Sequence, residues 1–240
     1  MREILAALDV DSAEQARDLA ERLRGAVGGF KIGSRLFTSE GPSIVRELTA
    51  RGDRVFLDLK FHDIPNTVAG AVGAAARLGV WMVNVHASGG RAMMIAAREA
   101  AERAAAESGQ QKPLVIAVTV LTSLDGPAIA EMGFAASVAE QVERLAVLAQ
   151  DAGLDGVVAS PQEIEPVRRR CGSAFVIVTP GIRGATPSTE PADDQARTLT
   201  AAAALAAGAS YLVVGRPIIG APDPAAAARQ IADECTAAHR

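Results

Sequence analysis

The stretch Phe56-Leu57-Asp58-Leu59-Lys60-Phe61-His62-Asp63-Ile64-Pro65-Asn66-Thr67 runs from an apolar strand into an acid, a base two residues later, and a second acid three beyond that. Arg54–Asp58 reads as the strand and Asn66–Leu78 as the helix that follows it. Side chains alternate faces along a strand, so Asp58 and Lys60 are expected to point the same way. Opposite charges at a strand's end, inside an apolar framework, carry a desolvation cost that catalysis best accounts for.

The same strand-then-helix unit recurs on both sides. Short apolar, often β-branched runs predict strands at Ile4–Leu8, Gly29–Ile32, Arg54–Asp58, Trp81–Val85, Leu114–Thr119, Gly156–Ala159, Phe175–Thr179 and Tyr211–Val214. Helical segments are expected at Ser12–Arg24, Ser43–Ala50, Asn66–Leu78, Arg91–Ala106, Ala136–Ala152, Pro161–Arg170, Ala196–Ala207 and near Pro224–Thr236. Ser160-Pro161-Gln162-Glu163 has the capping residues of a helix start, and Gly79 and Gly153 are helix stops. Repeated alternation implies parallel strands with right-handed crossovers. Eight units in 240 residues, with no Pro/Ser/Gly linker, predict one closed (β/α)8 TIM barrel, a single domain over residues 1–240. A doubly wound open sheet is the alternative, but the GxGxxG turn it would place after the first strand is absent.

Composition narrows the function. Hydrophobic residues at 49% and charged residues at 22% describe a globular chain, and a net charge of −4 gives no electrostatic case for nucleic acid or an anionic membrane. The run Arg168-Arg169-Arg170 is expected to be a solvated helix end. Cys171 and Cys235 form no CxxC, and the apolar start Ile4–Leu8 is too short for a signal peptide, so a cytoplasmic protein is expected.

In a (β/α)8 barrel the active site forms at the carboxyl ends of the strands. Asp9 follows the first strand, Lys31 is near the end of the second, Asp58 and Lys60 finish the third, and Asp63 is in the loop beyond. Taken singly, Asp9 could cap a helix and Lys31 could pair with any carboxylate; the set as a whole points to a site. The late loops suit a phosphate. Thr179-Pro180-Gly181-Ile182-Arg183 ends the seventh strand and Val214-Gly215-Arg216 the eighth, where glycines admit an anion and an arginine can donate two hydrogen bonds. The polar connection from Gly184 to Asp194 is expected to be a lid.

Together these residues resemble the orotidine 5′-phosphate decarboxylase family. The similarity runs from Ala7-Leu8-Asp9 through Phe30-Lys31-Ile32-Gly33, the D-x-K-x-x-D-I-P-N-T block and Leu121-Thr122-Ser123 to Val214-Gly215-Arg216. The resemblance implies a (β/α)8 barrel, a homodimer, and conversion of orotidine 5′-phosphate to UMP without cofactor or metal. It further implies that Lys60 donates the proton beside Asp58 and Lys31, and that Asp63 and Thr67 reach the neighbouring subunit's site. Asp9 and Lys31 would hold the ribose, and Thr122 and Ser123 would meet the pyrimidine. Pro180, Arg183, Gln195, Gly215 and Arg216 would close over the phosphate.

Other chemistries fit less well. His62 and His86 lack metal-motif spacing and are expected to be structural or surface residues, and Ser88 is in a helix entry rather than a G-x-S-x-G elbow. Metal-dependent sugar-phosphate enzymes, such as hexulose-phosphate synthase, share the D-x-K-x-x-D pattern. They resemble one another in carrying an acid near the end of the second strand, where this chain has Lys31. A non-catalytic nucleotide-phosphate sensor would need Arg216 and the lid but would have no use for Lys60 beside Asp58.

Overall fold

Each of the eight apolar runs becomes a strand, and the eight close on themselves. The computed structural model describes residues 2–183 and 199–237. Its barrel strands are β1 (Ile4–Ala7), β2 (Gly29–Gly33), β3 (Val55–Phe61), β4 (Met82–His86), β5 (Leu114–Val118), β6 (Gly156–Val158) and β7 (Val176–Thr179). Two-residue strands β8 (Ile182–Arg183) and β9 (Leu199–Thr200) pair with each other outside the barrel, and β10 (Tyr211–Val214) is the closing stave, parallel to both β7 and β1. The open-sheet alternative is thereby set aside. The β8–β9 pair brings together the two ends of the 184–198 connection. The expected lid and Gln195 fall within that connection, outside the described residues.

Helices follow the expected order, with local differences. Ser12 caps Ala13–Leu23, its hydroxyl accepting from Gln15 N–H, and Pro65 rather than Asn66 opens the helix Pro65–Arg77. The expected Pro161–Arg170 helix divides into a short 3-10 turn, Pro161–Glu163, and the α-helix Ile164–Cys171. The helix expected to span Ala196–Ala207 does not cover Leu199 and Thr200. These pair as β9, and the Thr200 hydroxyl caps Ala201–Ala206 by accepting from Ala203 N–H. Helices at Ser34–Glu40 and Gly126–Glu131 were not predicted; both are too short to show a helical period. The left-handed Gly79 and Gly153 (φ +77° and +78°) follow helix ends, as expected.

Two apolar layers set where the chemistry can be. Alternate strand residues such as Ala6, Leu57, Val83 and Ile177 pack outward with the helices. A second cluster, drawn from strand residues alone, has Leu5, Phe56, Met82, Ile116 and Val178 at its centre and fills the barrel interior. At the amino end the Arg54 guanidinium stacks 3.6 Å from the centre of the Trp81 ring, with Tyr211 edge-on to Trp81 at 4.9 Å. That end is sealed by packing. One strand period beyond Phe56 and Met82 come Asp58 and Asn84, so the apolar plug gives way to polar side chains at the carboxyl end.

The Arg168-Arg169-Arg170 run differs from the expected solvated helix end. Arg169 and Arg170 are exposed, but Arg168 is half-buried. Its guanidinium donates to the carbonyls of Gly172 and Phe175, both at 2.7 Å, of Ser173 at 3.0 Å and of Gly208 at 2.5 Å. One planar fork thus ties the end of the Ile164–Cys171 helix to the turns before β7 and β10. Arg168→Ala is expected to destabilise the fold by about 1–3 kcal/mol, because four carbonyls, two of them partly buried, lose a charged donor. Arg168→Lys should restore only part of this; denaturant melts of the three proteins measure both effects.

Candidate active site

Four charged side chains from three strand ends meet at the carboxyl mouth of the barrel. Lys31, on β2, places its ammonium 2.8 Å from Asp9 Oδ1 and 3.6 Å from Asp58 Oδ2. Lys60 places its own 2.6 Å from Asp58 Oδ1. The row is therefore Asp9–Lys31–Asp58–Lys60, with signs alternating. It is graded in exposure: the side chains of Lys31 and Asp58 are 9% and 14% exposed, those of Lys60 and Asp9 36% and 47%. The inner pair is largely withdrawn from water, and the outer two are the more exposed.

The backbone has to bend for this. β3 pairs Leu57 with Val83 and then Phe61 with Val85, so it fits two extra residues between consecutive pairing points. Lys60 absorbs the excess in the left-handed region at φ 52°, the only described non-glycine residue there. That conformation costs about 1–2 kcal/mol for a side chain of this size. Simple strand alternation is therefore not what sets Lys60 beside Asp58; a bulge is. Asn84, fully buried on β4, holds the bulge: its Oδ1 accepts Lys60 N–H at 2.8 Å and its Nδ2 donates to Asp58 Oδ1 at 2.7 Å.

Burial alone would push the Asp58 carboxyl up. The charges of Lys31 and Lys60, with hydrogen bonds from Lys60 and Asn84, outweigh it and hold Asp58 below the usual carboxylate range. Gly33 keeps the row open, since a Cβ there would come 2.9 Å from Lys31 Nζ. Gly215 borders it too: a Cβ there would be 3.9 Å from Asp9 Oδ2, so the β10 loop and the charged row adjoin. Arg216, exposed, opens the short helix Arg216–Ile219, and Pro180 is half-buried after β7.

The remaining expected site residues come from the segments that follow β3, β5 and β7. Asp63 and Thr67 are exposed on the segment after β3, where the Asp63 carboxylate accepts Ile64 N–H at 2.6 Å. Thr122 and Ser123 form a turn after β5, and Arg183 belongs to β8. Among the described residues, no group of three or more His, Cys, Asp or Glu side chains could hold a metal ion. Nor is any helix among them long and apolar enough to cross a membrane.

Comparison with known proteins shows the family. Residues 2–231 match the family model described as "Orotidine 5'-phosphate decarboxylase / HUMPS family". This chain is a member of that family. It is 56% identical over 232 residues to orotidine 5′-phosphate decarboxylase of Moorella thermoacetica, covering 96% of this chain and 91% of the relative. To the enzyme of that name from Syntrophotalea carbinolica it is 52% identical over 237 residues, 99% and 96% of the two chains. A crystal structure of orotidine 5′-phosphate decarboxylase from Lactobacillus acidophilus superposes with a TM-score of 0.86 at 38% identity, over 98% of this chain and 99% of that one. The barrel is that of the decarboxylase family, and the chain is an enzyme of it.

Reading the sequence missed Asn84, although a signal was present. It interrupts the apolar strand Met82-Val83-Asn84-Val85-His86 on the same face as Met82 and His86. The two histidines pack against each other: their ring centres are 5.2 Å apart, with His86 half-buried and His62 exposed. Burial first, then the neighbouring His62 and Lys60, hold His86 below the ordinary imidazole value, with Asp58 opposing. The folded state therefore favours neutral His86, while the unfolded chain takes up the proton near pH ~6.5. Stability from this group is complete above that pH and is lost as pH falls through the lower folded value. His86→Asn should flatten this part of the stability profile, which urea melts across that range would measure.

Proposed function

We propose that this chain converts orotidine 5′-phosphate to UMP and carbon dioxide, as a cytoplasmic homodimer that uses neither metal nor organic cofactor. The observation that carries the reading is the Lys60 ammonium, anchored on largely buried Asp58 at the more exposed end of the row. The names of the relatives more than half identical to it support the substrate.

In the reaction the bond from pyrimidine C6 to the carboxylate carbon breaks, the electron pair stays on C6, and carbon dioxide leaves. No ring position delocalises that pair well, so the protein must stabilise it electrostatically. Lys60 sets an ammonium against C6, transfers its proton there to give UMP, and regains a proton from water. Asp58, held ionised by its cations, fixes that ammonium and meets the substrate carboxylate as a like charge. Lys31 and Asp9 bind the ribose hydroxyls, while Thr122 and Ser123 contact the pyrimidine. Pro180, Arg183, Gln195, Gly215 and Arg216 take the phosphate. The barrier to be removed is toward the upper end of roughly 8–23 kcal/mol, more than one contact supplies, so phosphate binding contributes by holding the ring against the row.

Asp63 and Thr67 complete the site of the partner subunit. Their exposure supports this, as does Ile64, 67% exposed between them beside an open depression lined by His62, Asp63, Pro65, Ser88 and Gly89. The alternative within the family, metal-dependent sugar-phosphate chemistry, is disfavoured by Lys31, which puts a cation between Asp9 and Asp58.

Loss of the orotate chromophore on incubation with orotidylate tests the function, and undiminished turnover in chelator tests the cofactor-free reading. Lys60→Ala should lower turnover by at least ~10⁴-fold while nucleotide binding persists in calorimetry; an active variant would exclude the assigned role. Arg216→Ala should lower kcat/KM by roughly 10²-fold through lost phosphate contacts. Mixing inactive Lys60→Ala with Asp63→Ala protein should restore activity, to roughly a quarter of the wild-type sites at statistical exchange, because a mixed dimer of the two-fold type keeps one intact site. No recovery after demonstrated exchange would refute the shared site.

A further inference from the structure

We propose that Asn84 is a positioning residue for this reaction: its side-chain amide ties the Asp58 carboxylate and the bulged Lys60 backbone into one rigid unit, aiming the ammonium before substrate arrives. The role rests on the decarboxylase reading above and assigns a part to a residue that acts through Asp58 and Lys60.

The contacts form a closed ring. Asn84 Nδ2 donates to Asp58 Oδ1 at 2.7 Å, Lys60 Nζ donates to that same oxygen at 2.6 Å, and Lys60 N–H returns to Asn84 Oδ1 at 2.8 Å. Asn84 is 0% exposed, so no water stands ready to replace either bond. Both bonds have a specific task. The β3 bulge removes Lys60 N–H from the ladder, and the Asn84 oxygen is its buried acceptor. On the other side, Asp58 has a choice of cations, Lys60 on one oxygen and Lys31 3.6 Å from the other. A fixed donor from β4 settles the rotation of the carboxylate, and with it the place of the Lys60 ammonium.

The two tasks separate by substitution. Asn84→Ala removes both bonds. Asn84→Asp keeps an acceptor for Lys60 N–H but replaces the donor with a second carboxylate facing Asp58. The charged and titratable groups around Asp58 are Lys31 from β2, with Asp9 behind it, Lys60 from β3 and His86 from β4. Adding an acid to that set favours a shared proton on the new pair at low pH.

The experiment compares wild type, Asn84→Ala, Asn84→Ser and Asn84→Asp by hydrogen exchange of the Lys60 amide in ligand-free protein, by kcat and KM, and by the pH profile of kcat. In Asn84→Ala and Asn84→Ser, kcat should fall by about 10–100-fold with KM within a few-fold, and Lys60 amide protection should be lost. In Asn84→Asp protection should persist while the acid limb of kcat moves to higher pH. Wild-type protection of Lys60 in the Ala or Ser variant, or an unmoved acid limb in Asn84→Asp, would overturn the proposal. If one variant fails to fold, the other two still decide it. Amide exchange is read without substrate, so a wild-type protein that leaves orotidylate untouched would refute the decarboxylase reading separately.

Discussion

The Asp58 carboxylate is the constraint around which the rest of the structure is arranged. Placed near the end of a barrel strand and mostly out of water, it is held below the usual carboxylate range by Lys31, Lys60 and Asn84, which converge on it from β2, β3 and β4. Removing one partner of a buried pair typically costs about 3–5 kcal/mol, so three strands are tied together by electrostatics as well as by their ladder. The barrel serves this cluster by keeping water out from below: Phe56 and Met82 fill the layer beneath, and the Arg54–Trp81–Tyr211 stack closes the far end. Carboxylate and ammonium therefore interact in a medium less screening than bulk water, as the electrostatic stabilisation proposed for this site requires.

Local strain and long-range order are linked through Lys60. A left-handed lysine is unfavourable by itself, and nothing in Leu59-Lys60-Phe61 favours that conformation locally. It persists because β3 resumes pairing at Phe61–Val85 and because Asn84 accepts the displaced N–H. The site is thus over-determined from both sides. Such arrangement fits a side chain that must be oriented before substrate binds rather than by it.

The barrel was legible in the sequence because its strands are short apolar runs buried on both faces, which hydrophobic pattern reports directly. The charged row was legible for the same reason: Asp9, Lys31, Asp58 and Lys60 each interrupt or end an apolar run. What escaped depended on pairing between strands. The bulge at Lys60 appears only once β3 is set against β4, and Asn84 was passed over because both of its partners belong to β3. Arg168 was misjudged by the same logic, since its carbonyl partners come from turns as distant as Gly208. Two short helices, Ser34–Glu40 and Gly126–Glu131, carried too few residues for a period to emerge.

In the proposed function, Lys31 is the residue that sets this site apart from a metal-dependent one. In the metal-dependent branch, carboxylates gather around a divalent cation that polarises the substrate. Here the space between Asp9 and Asp58 is taken by an ammonium on a buried stem, 2.8 Å from one and 3.6 Å from the other. A metal in that space would have to displace a covalently tethered cation, and its charge would add to those of Lys31 and Lys60 rather than replace them. A fixed row of alternating charge also differs from a metal in what it offers the reaction. A metal binds a developing oxyanion, whereas an ammonium can both attract an electron pair on carbon and give it a proton. In the proposed reaction, the cation at the end of β2 thus goes with protonating negative charge on carbon rather than stabilising it on oxygen.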